Sequence, residues 1–233
     1  MIQLFRVVIS EQIIDNSEPV KCKRRTTLGK SLLFSRVLYR EWWPATYCSR
    51  VSGYRDILPE LDLVLWLIKA EDRALTVDEH FYHQVIGEAY RHKMLFVISQ
   101  SDKAEPTSGG GQLSTAQKQN ISRKICLLHE LFQPVHPVCA VSVRLQWGLK
   151  VMAERMIKCL PREATSPVVS QLHPSFRTTV VREQARSDFG ETVGAILDTV
   201  STFPLIPAPV RTIIQAVRSS VVSVARAVWD FFF

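Results

Sequence analysis

The chain has 233 residues, of which 46% are hydrophobic, and its 29 Lys and Arg outnumber 22 Asp and Glu, giving a formal net charge of +7. This length and composition suffice for one α/β domain with a helical appendix. The five cysteines are odd in number and widely spaced, which speaks against a disulfide framework or a metal site and favours free thiols in a reducing cytoplasm.

The first predicted segment, residues 1–53, is a basic leader that differs in charge from the remainder. Up to Arg55 the sequence contains ten Lys and Arg but four acidic residues, so most of the net charge lies here. Two interpretations stay open. The leader either binds RNA or acidic lipid, with Trp42, Trp43 and Tyr47 stacking on bases, or it is a non-native or poorly ordered segment.

Gly29–Ser31 match the last third of a phosphate-binding loop, Gly-x-x-x-x-Gly-Lys-Ser/Thr, whose consecutive N–H groups cradle a phosphate at a helix N-terminus. The first glycine of that loop would fall on Arg24, which does not readily adopt the backbone conformation of glycine. Between Ser31 and Leu61 there is no Asp-x-x-Gly turn to hold magnesium. A complete GTPase would need about twice that length for its strands and helices. We therefore interpret Gly29–Ser31 as a chance match and predict no metal ligands.

From Leu61 to Leu160, apolar runs rich in β-branched residues alternate with amphipathic runs. The predicted strands are Val64–Ile68, Leu95–Ile98 and Val138–Val143. The predicted helices are Asp78–Arg91, Ser114–Phe132 and Leu145–Leu160. This alternation predicts βαβ crossovers and a parallel sheet covered on both faces. Ligands bind at the carboxyl ends of such strands, where Asp102 and Ser142 fall.

Asp102 is the strongest candidate for a functional residue because it follows a predicted strand in the sequence Ser99–Lys103. Its carboxylate is able to accept two parallel hydrogen bonds from the N1–H and the N2 amino group of guanine, which adenine does not offer. The wrong base would leave a buried carboxylate unpaired, so such a contact discriminates well. The alternative is an aspartate that caps the following loop.

Several long stretches after Tyr54 carry a resemblance to a known family. They are Ile57–Ala70, Asp72–Leu75, Asp78–Phe81, Ser99–Lys103 and Pro134–Ser142. Together they resemble the Era-like, prophage-encoded GTPases of enterobacteria, the YfjP, YeeP and YkfA group, which is of the ribosome-binding GTPase type. The resemblance covers most of the chain, which we expect to be an N-terminally truncated or altered member.

The resemblance implies an α/β fold, an incomplete P-loop NTPase (G domain) three-layer sandwich, over residues 54–161. It implies that Asp102 reads the base and that the loop Ser142–Arg144 supports it through backbone N–H groups. The usual Asn-Lys-x-Asp motif has Ser99 and Gln100 in its first two positions here. The nucleotide-binding residues it implies are Ser99, Gln100, Asp102, Lys103, Ser142, Val143 and Arg144.

The functional expectation is a GTP-binding protein whose affinity for GTP is weak and whose hydrolysis of GTP is lost with the phosphate loop and the magnesium turn. Mg²⁺ has no recognisable ligand. A ribosome partner is implied by the family alone. The alternatives are a pseudo-GTPase interaction module, a membrane-associating helical protein without nucleotide, and a decayed remnant with an exposed sheet edge.

After Leu160, residues 162–233 are predicted to form a helical region. Prolines and small polar residues over residues 161–174 predict a linker, followed by helices over Ser175–Thr202 and Pro209–Trp229. The last helix either lies on a membrane interface or packs in a helical hairpin. Because Met1–Ser10 lacks the long apolar core of a signal peptide, we expect a cytoplasmic protein, peripheral at the inner face of the membrane if the last helix binds lipid.

Overall fold

A computed structural model describes residues 58–107 and 111–232, together with the backbone of residues 2–8 and 32–38. The chain forms two compact units, residues 1–159 and residues 160–233. We call the first the sheet unit and the second the helical unit.

Over its described residues, the sheet unit is built on five strands in the order β2-β1-β3-β4-β5. They are β1 (Ile2–Val8), β2 (Leu32–Leu38), β3 (Leu63–Lys69), β4 (Met94–Ser99) and β5 (Cys139–Ala140). The last three are parallel, with Val64 opposite Met94 and Ile98 opposite Ala140. β3 and β4 are apolar and almost wholly buried, as expected for strands covered on both faces. The predicted α/β class and the three parallel strands are confirmed.

The third parallel strand is shorter than the predicted Val138–Val143. After Ala140 the chain leaves the regular ladder, because the carbonyl of Val141 accepts from the N–H of Ser101 in the loop after β4. Ser142 then pairs with Trp147, closing a tight loop. The regular strand therefore ends at Ala140, and the residues after it form hydrogen bonds to the neighbouring loops.

Two strands come from the segment that we predicted to be a separate basic leader. β1 lies beside β3 and runs antiparallel to it, and β2 pairs with β1 on its other side. The sheet thus extends past β3 into the leader.

Helices lie on both sides of the sheet. The first begins as α1 (Thr76–Phe81), continues through a wider π-type turn over Tyr82–Ile86, and ends at Gly87, whose φ is +56°. The predicted single helix Asp78–Arg91 was therefore too long, since a glycine with positive φ terminates it. α2 (Thr115–Phe132) confirms the predicted helix, and Ser114 caps it reciprocally with Gln117.

The third helix of the sheet unit, α3 (Leu149–Cys159), begins four residues later than predicted because residues 142–147 form the closed loop. α3 packs on β4 and β5. Against α1 and α2 the core is aromatic, with Trp66, Tyr82, Phe96 and Phe132 in mutual ring contact at centroid separations of 5.0 to 6.4 Å. Such contacts add to the apolar burial that holds the layers together.

The described part of the helical unit has three α-helices, α4 (Arg162–Gln171), α5 (Thr179–Ser201) and α6 (Ala208–Phe232). The predicted linker over residues 161–174 was wrong, because it contains α4. Pro167 lies inside that helix, yet Val168 and Val169 are buried. Ser166 accepts a hydrogen bond of 2.9 Å from the indole N–H of Trp229. Tertiary packing therefore outweighs the cost of the proline.

α5 and α6 form the predicted helical hairpin. α5 starts after Thr178, whose side chain accepts from the N–H of Val181 and so caps the helix four residues later than predicted. Among the helices that the structure describes, none is both long enough and apolar enough to cross a membrane.

Candidate functional site

Asp102 lies in the turn that follows β4, at the carboxyl edge of the parallel strands. Gln100 has a left-handed backbone with φ of +54°, and it turns the chain into a short 3-10 segment over Ser101–Lys103. The N–H of Ser101 donates to the carbonyl of Val141 at 3.0 Å. This bond joins the loop after β4 to the loop after β5, so the two strand ends share one site.

Both carboxylate oxygens of Asp102 are engaged by that second loop. The hydroxyl of Ser142 donates to Oδ1 at 2.6 Å, and Nε of Arg144 lies 2.9 Å from Oδ2. The Asp102 side chain is only 9% exposed, whereas that of Arg144 is 62% exposed. Asp102 is therefore a buried carboxylate with one buried neutral partner and one cationic partner open to solvent.

The pKa of Asp102 is lowered from its ordinary value, chiefly by the hydrogen bond from Ser142 and further by the charge of Arg144, while burial acts in the opposite direction. The group is consequently ionised at neutral pH. An ionised carboxylate is a pure acceptor, as a pair of N–H donors on a base requires.

The loop over residues 142–148 is fixed by its own backbone. Ser142 and Trp147 exchange two N–H···O bonds of 3.0 Å, and the N–H of Leu145 donates to Oγ of Ser142 at 3.2 Å. Gly148 has φ of +75°, and a Cβ added there would lie 2.2 Å from the carbonyl oxygen of Ala140. Only glycine fits this close approach to β5.

Gln117 is a residue of the site that sequence reasoning missed. It is fully buried in α2, and its side-chain N–H₂ donates to the carbonyls of Asp102 and Ala104, each at 3.0 Å. Its side-chain oxygen accepts from the N–H of Ser114 at 2.9 Å. Glutamine three residues after a capping serine was the available signal, but it indicates only a helix start.

Lys124 is a second residue that sequence reasoning missed. Its ammonium donates to the carbonyls of Ala70 and Asp72, at 3.0 and 2.6 Å, and so binds the loop that follows β3. Burial lowers the pKa of Lys124, and Asp72 and Glu71 act against that shift. Lys124 also lines a cavity of about 480 Å³, together with Ala70, Glu71, Arg73, Ala104, Glu105, Asn120 and Ile121.

The structure brings together three of the predicted site residues, Asp102, Ser142 and Arg144. Arg144 acts through its side chain, whereas the prediction assigned the loop a main-chain role. Val143 is exposed, and the N–H groups of Val143 and Arg144 meet no acceptor among the described residues.

The remaining predicted residues lie around this group without touching the carboxylate. Ser99 donates weakly to the carbonyl of Ile68 at 3.4 Å. Gln100 and Lys103 are exposed. Gly29–Ser31 lie outside the described residues. Among the described residues, the other side chains that engage the carboxylate come from the loop after β5.

The direction of β1, which lies beside β3, decides which edge of the sheet its carboxyl end reaches. In parallel sheets the loops at the carboxyl ends of the strands hold ligands. β1 runs antiparallel to β3, with Ile2 opposite Trp66 and Phe5 opposite Leu63. The carboxyl end of β1 is therefore at the opposite edge from Asp102.

Within the described ranges no group of three or more His, Cys, Asp and Glu side chains is placed to hold a metal ion. His83, one of the histidines of the first helix, instead lies 3.2 Å from the carbonyl of Leu131 in α2. The site instead offers the buried carboxylate of Asp102 as a hydrogen-bond acceptor.

Three Escherichia coli K12 proteins are similar to this chain. It is 92% identical to "Uncharacterized protein YkfA" and 89% identical to "Uncharacterized protein YfjP", in each case over 180 residues that make up 77% of the chain and 63% of the relative. The chain thus matches less than two thirds of the length of these two proteins.

The third relative, "Putative uncharacterized protein YeeP", is 60% identical over 237 aligned residues that span the whole of both chains. No protein-family model matches the sequence. No solved structure matches it either. Full-length alignment at this identity nevertheless establishes common descent, and the chain belongs to the family of the E. coli proteins YeeP, YkfA and YfjP.

Proposed function

We propose that this chain is a guanine-nucleotide-binding protein of the Era-like type that binds the base weakly and does not hydrolyse GTP. The observation that carries the proposal is Asp102, a buried and ionised carboxylate at the carboxyl end of a parallel strand, oriented by Ser142 of the next strand end.

Guanine fits this arrangement by chemistry. Its N1–H and N2 amino group are adjacent donors that match the two oxygens of one carboxylate. Ser142 holds one oxygen of Asp102 at 2.6 Å, which fixes the plane of the carboxylate. The N–H groups of Val143 and Arg144 supply donors for an acceptor such as the O6 atom of the base.

Arg144 is the reason that we expect weak binding. The Nε atom of Arg144 pairs with Oδ2 of Asp102. A base must therefore displace the Arg144 side chain before the base donates its second hydrogen bond, to Oδ2. The Arg144 side chain is more than half exposed, and exposed ion pairs contribute only about 0.2–1 kcal/mol. Displacement therefore lowers affinity without preventing binding.

Hydrolysis is excluded from the proposal because it requires a phosphate cradle and a magnesium ion beside the base. β1 is antiparallel to β3, so its carboxyl end lies at the edge opposite Asp102. The sequence supplies neither the first glycine of a phosphate loop nor an Asp-x-x-Gly turn between Ser31 and Leu61.

Titration calorimetry with GDP, GTP and XTP tests the proposal. We expect weak GDP and GTP binding that does not depend on magnesium, and loss of both in Asp102→Ala. Asp102→Asn should shift preference from guanine to xanthine, because the amide offers the donor that the second carbonyl of xanthine accepts. Arg144→Ala should tighten guanine binding by about two- to fivefold, the equivalent of one exposed ion pair.

Arg182→Ala, an exposed arginine of the helical unit, controls for the loss of one positive charge. ATP controls for base selectivity. Binding of GTP that is tight and requires magnesium would contradict the proposal, as would equal affinities of wild type and Asp102→Ala for GDP.

A second candidate function, an interaction module that works without nucleotide, is supported by one observation. The helical unit carries large exposed apolar side chains on both helices of its hairpin. If Arg144→Ala and the wild type both leave guanine unbound, this second function accounts for the chain better than the first.

A further inference from the structure

The helical unit exposes a continuous set of large apolar side chains, which we call the apolar face. Its members come from the end of α5, the α5–α6 turn and the length of α6. They are Ile196, Val200, Phe203, Leu205, Val210, Ile213, Val217, Val224, Val228 and Phe231. Their exposures range from 42% for Val200 and Val210 to 87% for Leu205.

The spacing of these residues on α6 places them on one side of the helix. Successive residues of an α-helix are turned by about 100°, so steps of three, four and seven keep the same side. Val210, Val217, Val224 and Phe231 repeat every seven residues, and Ile213 and Val228 lie beside them. The buried side of α6, where Val222 lies against Gly194 of α5, carries Val222, Ala225 and Trp229 and is turned roughly 120° away.

α5 repeats the same arrangement. Its contact with α6 runs along Gly190, Gly194 and Ser201, which are buried. Ile196 and Val200 are turned away from that line by a similar angle and in the same rotational sense. In antiparallel helices, equal rotations of the same sense point to the same side of the pair, so the two stripes form one face.

The area of this face is large for a surface that stays in water. From the exposures above, its side chains present on the order of 1,000 Å² of accessible surface, whereas the largest apolar patch of a typical monomer is about 300–600 Å². A standard protein–protein interface buries about 800 Å² on each partner. The face is thus as large as one half of a stable dimer interface.

Its charge decides between a lipid surface and a protein partner. An interfacial helix is flanked by Lys and Arg that attract anionic lipid. Here the arginines of α6 are directed into the hairpin. Arg218 pairs with Asp198 at 2.9 Å, Arg226 with Glu191 at 3.0 Å, and Arg211 donates to the carbonyl of Ile206 at 2.9 Å.

Residues 160–233 contain no lysine, and their seven arginines are nearly matched by six acidic residues. On α5, however, the exposed Arg182 and Arg186 lie on the same side as Ile196 and Val200, fourteen residues earlier, and Arg186 pairs with Asp230 at 2.9 Å. The stripe on α6 carries no charged residue that would repel an identical surface.

We propose that the apolar face of α5 and α6 pairs with the same face of a second copy of this chain, so that two hairpins form a four-helix dimer. An isologous contact of this kind needs a self-complementary surface, and an uncharged stripe with a seven-residue repeat is one. The proposal is independent of nucleotide binding.

Sedimentation equilibrium and light scattering of the full chain test it. We expect a dimer whose stability does not fall as the salt concentration rises, since apolar contacts are not screened. Ile213→Glu and Val224→Glu should each weaken dimerisation by at least about tenfold, because each places a charge in the dimer core. Both positions are exposed in the isolated chain, so each variant should keep the helical circular dichroism of the wild type.

Ser219→Glu is the matched control, because Ser219 is exposed on α6 but lies outside the apolar face. It should leave the dimer intact.

Three results would overturn the proposal. The first is a wild type that stays monomeric at concentrations where weak dimers form. The second is a dimer that Ile213→Glu and Val224→Glu leave unchanged. The third is flotation with phosphatidylcholine or phosphatidylserine vesicles that the two face variants abolish and Ser219→Glu does not, which would assign the face to a membrane.

Discussion

Two side chains of one loop lower the pKa of Asp102, and this makes the stability of the folded protein depend on pH in a definite direction. The hydrogen bond from Ser142 and the charge of Arg144 stabilise the carboxylate over the acid, so its folded-state pKa is below the unfolded one. Stability from the carboxylate is then fully present above the unfolded pKa and is lost as the pH falls through the folded pKa.

Asp102→Asn tests this assignment. At neutral pH we expect the free energy of unfolding to fall by about 1–3 kcal/mol, because an amide whose oxygen accepts from Ser142 presents its N–H₂ donor to the Arg144 guanidinium. The difference from wild type should shrink as the pH drops below the ordinary carboxyl range. Urea unfolding at a series of pH values measures it, with Glu130→Gln, an exposed position of α2, as the control for charge removal. A difference that stays constant down to acid pH would show that the effect is steric.

At this scale the sequence predicts which residues meet but not how they bond. Asp102 and Ser142 were predicted to converge because each falls at the carboxyl end of an apolar strand, and parallel strands end at one edge. The Arg144 side chain was not predicted, since its position depends on rotamers that sequence spacing does not encode. Gln117 was missed for a similar reason, because a buried amide and an exposed capping amide look alike in sequence.

At the scale of single elements, the close approach of the loop before α3 to β5 requires glycine at position 148. Gly148→Ala should lower the free energy of unfolding by about 2–4 kcal/mol, because the new methyl group would overlap the Ala140 carbonyl in a positive-φ position. Gly87→Ala isolates the backbone strain, since an added Cβ at Gly87 meets nothing within 4 Å. Thermal unfolding of both variants gives the comparison. Equal losses of stability at the two positions would mean that the overlap with the Ala140 carbonyl does not contribute to the destabilisation.

α4 is the element that sequence reasoning got wrong, and the Ser166–Trp229 bond provides its test. Trp229→Phe should destabilise the helical unit by about 2–3 kcal/mol, because it leaves a small cavity and removes the donor. Ser166→Ala should cost about 1–3 kcal/mol, because the indole N–H is then buried without an acceptor.

The two substitutions together should cost less than their sum by about 1 kcal/mol. Urea unfolding of the four proteins in this cycle measures the coupling. Strict additivity would place α4 away from α6, as the predicted linker would have done.

Helix prediction failed at α4 for an identifiable reason. Pro167 and the neighbouring Ser and Thr residues are typical of a connection, and their local preferences were the whole signal. The burial of Val168 and Val169 depends on helices farther along the chain. Ser114–Phe132 was predicted correctly because its cap, its periodicity and its length all indicate the same helix.

At the scale of the whole molecule, the alternation of strands and helices sufficed to predict the class of the sheet unit. β3 and β4 are apolar on both faces, and only a sheet covered on both faces accommodates such strands. The pairing of β1 with β3 was not predictable, because strand direction in a sheet leaves no mark on local composition. The dimer proposed for the helical unit belongs to this scale too, since the apolar face is formed only when α5 and α6 are assembled.

The double hydrogen bond from Gln117 has a consequence for signalling. The carbonyls of Asp102 and Ala104 are held from within the protein, so the loop that carries Asp102 is ordered without any ligand. GTPases transmit a signal by ordering a segment when the γ-phosphate is present and releasing it afterwards. A ligand that finds its loop already fixed makes little difference to the conformational equilibrium. Guanine bound at Asp102 would therefore be a static component of this protein, and its presence or absence would carry no timing information to a partner.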